Sequence, residues 1–127
     1  SNARVVETTK KANVLLVEDE PINAEMVEYM LQCMGHEVTV SYTGDDAIIR
    51  VSENAFDCVL LDINLPDMNG LEVAKIMKEG HPDLQIIALT ANAHRSDKEA
   101  SLQAGIRYHL VKPVTFQELK NTLRLAL

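Results

Sequence analysis

The sequence predicts a doubly wound α/β fold, five short parallel strands alternating with five amphipathic helices. Three observations carry this. Apolar runs recur at VLLV (Val14 to Val17), CVLL (Cys58 to Leu61) and IIAL (Ile86 to Leu89). They are too short for helices and lack the polar alternation of a sheet with one wet face. Between them lie stretches whose apolar residues recur at helical spacing, which implies a sheet covered on both sides.

Taken in order, Arg4 to Asn13 is polar and rich in Thr and Lys, and reads as a linker or frayed terminus. Ser1-Asn2-Ala3 before it reads as a cloning remnant, so residues 1–12 are set aside and 13–127 form one domain. After the first strand, Pro21 suits a first helical position. Ile22, Met26, Val27, Met30, Leu31 and Met34 then follow as a core-facing stripe, stopped by Gly35. The methionines are expected to fill the core. Val38, Val40 and Tyr42 alternate with polar residues, as in a second strand near an edge. Thr43 caps a second helix, with Asp46 three residues on, carrying Ala47, Ile48 and Val51. Strand three, Cys58 to Leu61, precedes a helix with Leu71, Val73, Ala74, Ile76 and Met77 that ends near Gly80. Strand four is Ile86 to Leu89. A polar stretch, Ala91 to Arg95, leads to a helix near Ser96 to Ala104, stopped by Gly105. Leu110 and Val111 lie in strand five. Thr115 and Glu118 form a capping box for a last helix bearing Phe116, Leu119, Leu123 and Leu127.

A chain of 127 residues suits one domain. Twelve basic against nineteen acidic residues give a formal charge of −7, which argues against a nucleic-acid backbone binder. No apolar run is long enough to span a membrane. Cys33 and Cys58 both sit among apolar residues and are expected as buried free thiols in a reducing cytoplasm. His36, His81, His94 and His109 lack the spacing of metal ligands.

Chemistry enters at the strand ends. Strand one ends in Glu18-Asp19, strand three in Asp62, strand four in Thr90 and strand five in Lys112. Strands of a parallel sheet share one carboxyl edge, where ligands bind at the topological switch point. Three carboxylates, a hydroxyl and an ammonium therefore converge. A carboxylate pair at ~4 Å repels by about 4 kcal/mol at an effective dielectric near 20. Lys112 or a divalent cation must offset this. Oxygen ligands suit Mg²⁺, which favours phosphate oxygens. Asp62, kept ionised, can attack phosphorus and form an acyl phosphate. The metal, Lys112 and the Thr90 hydroxyl then hold the phosphoryl oxygens.

From about Asn13 to Leu127 the chain resembles a response-regulator receiver domain. VEDE (Val17 to Glu20) resembles the family's acidic pair, and LLDINLPDMNG (Leu60 to Gly70) its phosphoacceptor loop. ALTANA (Ala88 to Ala93) carries the switch threonine and LVKP (Leu110 to Pro113) the lysine, followed by a proline that is typically cis. The resemblance implies a flavodoxin-like strand order 2-1-3-4-5 and Asp62 as phosphoacceptor. It implies Mg²⁺, with Mn²⁺ able to substitute, on Asp19, Asp62 and the Asn64 backbone carbonyl, with Glu18 acting through a metal-bound water. Asn64 and Asn92 would tune the phosphate's lifetime. The implied partners are a histidine kinase or histidine phosphotransfer domain as donor and a downstream protein meeting the fourth helix, fifth strand and fifth helix. Direct nucleic-acid or membrane contact is not implied.

Two positions depart from the pattern. Glu18 stands where Asp is frequent. His109 stands where an aromatic switch residue is usual, with Tyr108 on the opposite strand face. His109 is read either as the rotor, giving a polar or pH-sensitive output, or as a solvated histidine. Three rivals share features of the edge. A haloacid-dehalogenase-type phosphatase needs an aspartate where Asn64 stands. An FMN carrier needs a Ser/Thr/Gly phosphate loop where Glu18-Asp19-Glu20 stands. A pseudo-receiver usually lacks the acceptor or the lysine, and both are here. The domain is expected not to be a turnover enzyme but to catalyse its own phosphorylation and dephosphorylation. The wording ALTANA and LVKPV points to a hybrid sensor kinase as parent, a stand-alone regulator being the alternative.

Overall fold

The computed structural model describes residues 10–92 and 95–127, without the side chains of 95 and 96. Five strands and five helices alternate. They are β1 (Asn13–Val17), α1 (Pro21–Cys33), β2 (Glu37–Ser41), α2 (Gly44–Glu53), β3 (Cys58–Asp62), α3 (Gly70–Gly80), β4 (Gln85–Thr90), α4 (Arg95–Gln103), β5 (Tyr108–Val111) and α5 (Phe116–Ala126). The strands are all parallel in the order β2-β1-β3-β4-β5. β2 is thus an edge strand, as its alternation predicts.

The continuous apolar runs are explained by two cores. Leu15, Val17, Val59, Leu61, Ile86 and Ala88 face one side and pack on α2 and α3 through Ala47, Val51, Val73, Ala74 and Met77. Val14, Leu16, Cys58, Leu60, Ile87, Leu89 and Leu110 face the other and pack on α1 and α5 through Ala24, Val27, Leu31, Leu119 and Leu123. Successive strand residues point to opposite faces, so both parities must be apolar when both faces are dry. Caps set the helix ends. The Thr43 hydroxyl accepts from the Asp46 N–H, and Thr115 with Glu118 forms the reciprocal box. Gly35 and Gly105 adopt φ of 92° and 93°, conformations that end α1 and α4 without a Cβ clash.

Several expectations shift. Ala12 and Asn13 belong to the fold rather than to a linker. Ala12 is buried and its carbonyl accepts from the Glu37 N–H, while Asn13 opens β1. The rest of the predicted linker before residue 10, and Ala93 and His94 of the polar stretch, lie outside the described residues. Cys33 is exposed and only Cys58 is buried. Ile22 and Met26 are exposed, because α1 docks through Ala24, Val27 and Leu31 instead. Met30 and Met34 are half-buried at the margin. Tyr42 lies past the end of β2 and is exposed, and Ile76, Phe116 and Leu127 are also largely open.

His36 ties the amino edge of the sheet together. It is 4% exposed, and its Nδ1 accepts from the Ala12 N–H at 3.1 Å. That bond places the neutral ring's proton on Nε2, which is buried without a partner among the described residues. Burial lowers the His36 pKa, with Asp57 opposing weakly. Protonation would also force Nδ1 to give up its acceptor role. A depressed folded-state pKa means that the unfolded chain binds the proton first. The associated stability is present above pH ~6.5 and is lost as pH falls through the folded value. Wild type should therefore lose urea stability between pH 7.5 and 5.5 by more than His36→Gln does; equal losses would exclude this account. The start of α3 makes a second prediction. A Cβ on Gly70 would meet the Ile63 Cα at 2.6 Å and the Asp62 carbonyl oxygen at 2.8 Å, backbone atoms with nowhere to move, whereas Gly80 has open space around it. Gly70→Ala should lower unfolding free energy by about 1–3 kcal/mol. Gly80→Ala should be neutral or stabilising by up to about 1 kcal/mol in the same titration.

Candidate functional site

The strand register decides which polar ends meet. Val17 pairs with Leu61, Asp62 with Leu89 and Thr90 with Val111. Glu18, Asp62, Thr90 and Lys112 therefore emerge from neighbouring strands at one edge. The edge is also stitched by the backbone, with Ile63 N–H donating to Leu89, Lys112 N–H to Thr90 and Glu18 N–H to Ser41. The sheet order reverses between β1 and β3, and the carboxylates flank that point.

Carboxylate oxygens of Glu18, Asp19 and Asp62 all lie within 4.8 Å of one another. Glu18 is 1% and Asp62 2% exposed, while Asp19 is half-buried. Lys112 Nζ donates to Asp62 Oδ2 at 2.7 Å and lies 3.1 Å from Glu18 Oε1. Three carboxylates against one ammonium leave two negative charges uncompensated. Burial, then the neighbouring Asp62, hold the Glu18 carboxyl above the ordinary range although Lys112 pulls the other way. Burial draws the Lys112 ammonium down, but its bonds to Asp62 and Glu18 outweigh that and leave it above the ordinary lysine value. One lysine thus fails to neutralise the cluster. A hard divalent cation such as Mg²⁺ would fit both the oxygen donor set and the missing charge.

The loop between β3 and α3 holds Asp62 in place. Asp62 Oδ1 accepts from the Asn64 N–H at 2.9 Å. Asn64 bridges back to Asn69, Gly70 N–H donates to the Ile63 carbonyl, and Asn69 Oδ1 caps α3 through the Leu71 N–H. Opposite, the Thr90 hydroxyl donates to the Asn92 carbonyl at 2.8 Å and so is turned onto its own loop. The Lys112–Pro113 peptide is cis.

Tyr108 and His109 point to opposite sides, as strand alternation requires. Tyr108 packs in the α1/α5 core and its hydroxyl donates to the Leu125 carbonyl. His109 is half-buried and lines a small cavity with Thr90, Asn92, Leu71 and Ser101. Burial, then the nearby Lys98, lower its pKa.

One feature was missed by the sequence reading. Ile22 (75% exposed), Met26 (53%) and Tyr29 (69%) form an apolar stripe along α1. At 100° per residue this stripe lies roughly opposite the buried Ala24, Val27 and Leu31. Met26 also lines a cavity of about 230 Å³ with Met30, Pro113 and Val114 that reaches Glu18 and Lys112. Apolar residues on two faces of one helix were the available signal.

Comparison with known proteins agrees with this architecture. The chain matches the family model of the response regulator receiver domain over residues 14–124. It is 36% identical over 110 residues to the sensor histidine kinase RcsC of Salmonella typhi, covering 87% of this chain and 12% of that protein. It is 32% identical over 117 residues to the transcriptional regulatory protein ZraR of Salmonella typhimurium, covering 92% of this chain and 26% of that protein. The chain thus spans only a small part of these relatives. The receiver domain of the sensor histidine kinase PA1611 from Pseudomonas aeruginosa PAO1, solved with a magnesium ion in its active site cleft, has a TM-score of 0.84 and 35% identity, covering 91% of this chain and 97% of that one. By the family match and these identities, the chain belongs to the response regulator receiver domains of two-component signalling.

Proposed function

We propose that the domain takes a phosphoryl group from a partner's phosphohistidine onto Asp62 and relays that event as a change of surface. The observation that carries this is the Glu18, Asp19 and Asp62 cluster facing Lys112, 2.7 Å from Asp62. Asp62 attacks phosphorus, the P–N bond of the donor breaks, and its electron pair leaves on the imidazole nitrogen. A mixed carboxylic-phosphoric anhydride remains on Asp62. Mg²⁺, or Mn²⁺ in its place, held by Asp19, Asp62 and the Asn64 carbonyl with Glu18 behind, would neutralise charge on the transferring group. Lys112 supplies the fixed positive charge beside the acceptor, and burial strengthens it. No second carboxylate stands at Asn64 to act as general acid, which favours self-phosphorylation over turnover of phosphate esters.

The switch follows from Thr90. Its hydroxyl can bond either the Asn92 carbonyl, as here, or a phosphoryl oxygen on Asp62. Exchange of that bond supplies the differential free energy between two states. His109, in the cavity next to Thr90, is placed to move with it. The altered face is α4, β5 and α5, where Leu102, Val111 and Leu125 are exposed apolar residues for a downstream protein. The donor approaches from the other side, over the Ile22, Met26 and Tyr29 stripe. Unpaired Cys58 suits a reducing cytoplasm. Among the described residues no helix is long and apolar enough to cross a membrane. A hybrid sensor kinase is the parent we infer, with a stand-alone regulator as the second reading; relatives of both kinds match.

Intact mass after incubation with Mg²⁺ and a small acyl phosphate should show one phosphate adduct, absent in Asp62→Asn and without metal. An adduct on an aspartate of Asp62→Asn would overturn the acceptor assignment. Lys112→Ala should fold but fail to activate a downstream partner; full activation would refute its role. Met26→Asp should slow transfer from a phosphohistidine protein by about tenfold, the effect of ~1.4 kcal/mol at an interface, and leave small-molecule labelling unchanged. Equal slowing of both would place Met26 in the chemistry rather than in docking.

A further inference from the structure

Asp67 stands in the middle of LLDINLPDMNG and has no part in the chemistry above. Its carboxylate nevertheless spans two elements. Oδ1 accepts from the Gly44 N–H at 2.9 Å and Oδ2 from the Asp45 N–H at 3.1 Å. These are the first two amides of α2. The third, Asp46 N–H, goes to the local cap Thr43. The opening amides of α2 are therefore divided between a residue of its own turn and a residue of the acceptor loop 22 or 23 positions away. The fit is close. A Cβ on Gly44 would overlap the Met68 side chain at 2.6 Å, so loop and helix meet without a spacer. The Gly44 amide, with the Asp45, Asp67 and Met68 amides, lowers the Asp67 carboxyl pKa, with burial opposing.

The loop's other polar ties lie at its two ends, where the Ile63 N–H bonds the Leu89 carbonyl of β4 and the Asn64 N–H bonds Asp62. Asn64 and Asn69 close its base, Gly70 bonds Ile63, and Asn69 caps α3. Among the described residues, Asp67 is the loop side chain between Ile63 and Asn69 whose hydrogen bonds reach another element. It therefore fixes the tip of the segment whose base carries the Asn64 carbonyl.

We infer that Asp67 is a positioning residue: by clamping the acceptor loop to the N-terminus of α2 it preorganises the Asn64 carbonyl for Mg²⁺. The inference rests on the proposed metal site. A ligand fixed before binding loses less freedom on binding, so the clamp raises metal affinity without touching the ion. Coupling between two sites is reciprocal, so Mg²⁺ must tighten the clamp by the same factor.

The test is Mg²⁺ titration calorimetry on the whole chain, with amide exchange at Gly44 and Asp45 followed by NMR. Asp67→Ala should raise the Mg²⁺ Kd by about 3- to 10-fold, below the ~10- to 100-fold lost when a ligand's direct support is removed. Asp67→Asn, which keeps one acceptor oxygen, should fall between Asp67→Ala and wild type, and it stands in if Asp67→Ala fails to fold. Mg²⁺ should slow exchange at Gly44 and Asp45 in wild type by a similar factor, and lose that effect in Asp67→Ala. Thr43→Ala is the control. It weakens the same helix end through the local cap and should lower urea stability while leaving the Mg²⁺ Kd at the wild-type value. An unchanged Kd in the Asp67 variants, or an equal rise in Thr43→Ala, overturns the clamp while leaving the metal site intact. Failure of wild type to bind Mg²⁺ overturns the metal site itself, and the clamp with it.

Discussion

The rest of the site depends on the unbalanced charge at the carboxyl edge of the sheet. Glu18 and Asp62 are both almost fully buried, share one lysine, and have Asp19 beside them. Burying a carboxylate is unfavourable unless it is paired and hydrogen-bonded. Lys112 pairs both, the Asn64 N–H bonds Asp62, and the Glu20 N–H bonds Glu18. What remains is a deficit of positive charge around two buried carboxylates. A divalent cation would supply the missing charge.

The surrounding architecture serves that arrangement. A central strand buried on both faces gives Asp62 a rigid base, and the register of β1, β4 and β5 against it sets the spacing of the other groups. The loops that follow differ in how they are bonded. The Thr90 hydroxyl is bonded to its own loop, donating to the Asn92 carbonyl and accepting from the Asn92 N–H. The loop between β3 and α3 is tied at its base, at α3 and at α2.

Much of this was legible in the chain. Apolar runs of four residues, two capping residues and two stop glycines located the elements, because each is a local rule. The polar residue after each run located Glu18, Asp62, Thr90 and Lys112, because parallel strands share one end. The helix faces were less legible. Ile22 and Met26 looked like core because helical spacing names a stripe but not its direction. Ala24, as small as a core contact can be, carried less apolar signal than the exposed stripe although it is the residue that docks. Cys33 was misplaced for the same reason.

The sequence by itself determined the order and type of elements and the chemical identity of the groups at the strand ends. Those follow from periodicity, caps and chain direction, which are local. The tertiary structure alone decided which oxygen meets which donor. It set Lys112 between Glu18 and Asp62, placed His36 Nδ1 on the Ala12 amide, and brought Asp67 to the first amides of α2. Each of these joins residues at least 22 positions apart, where spacing along the chain carries no information and only the packing of helices on a common sheet fixes the distance.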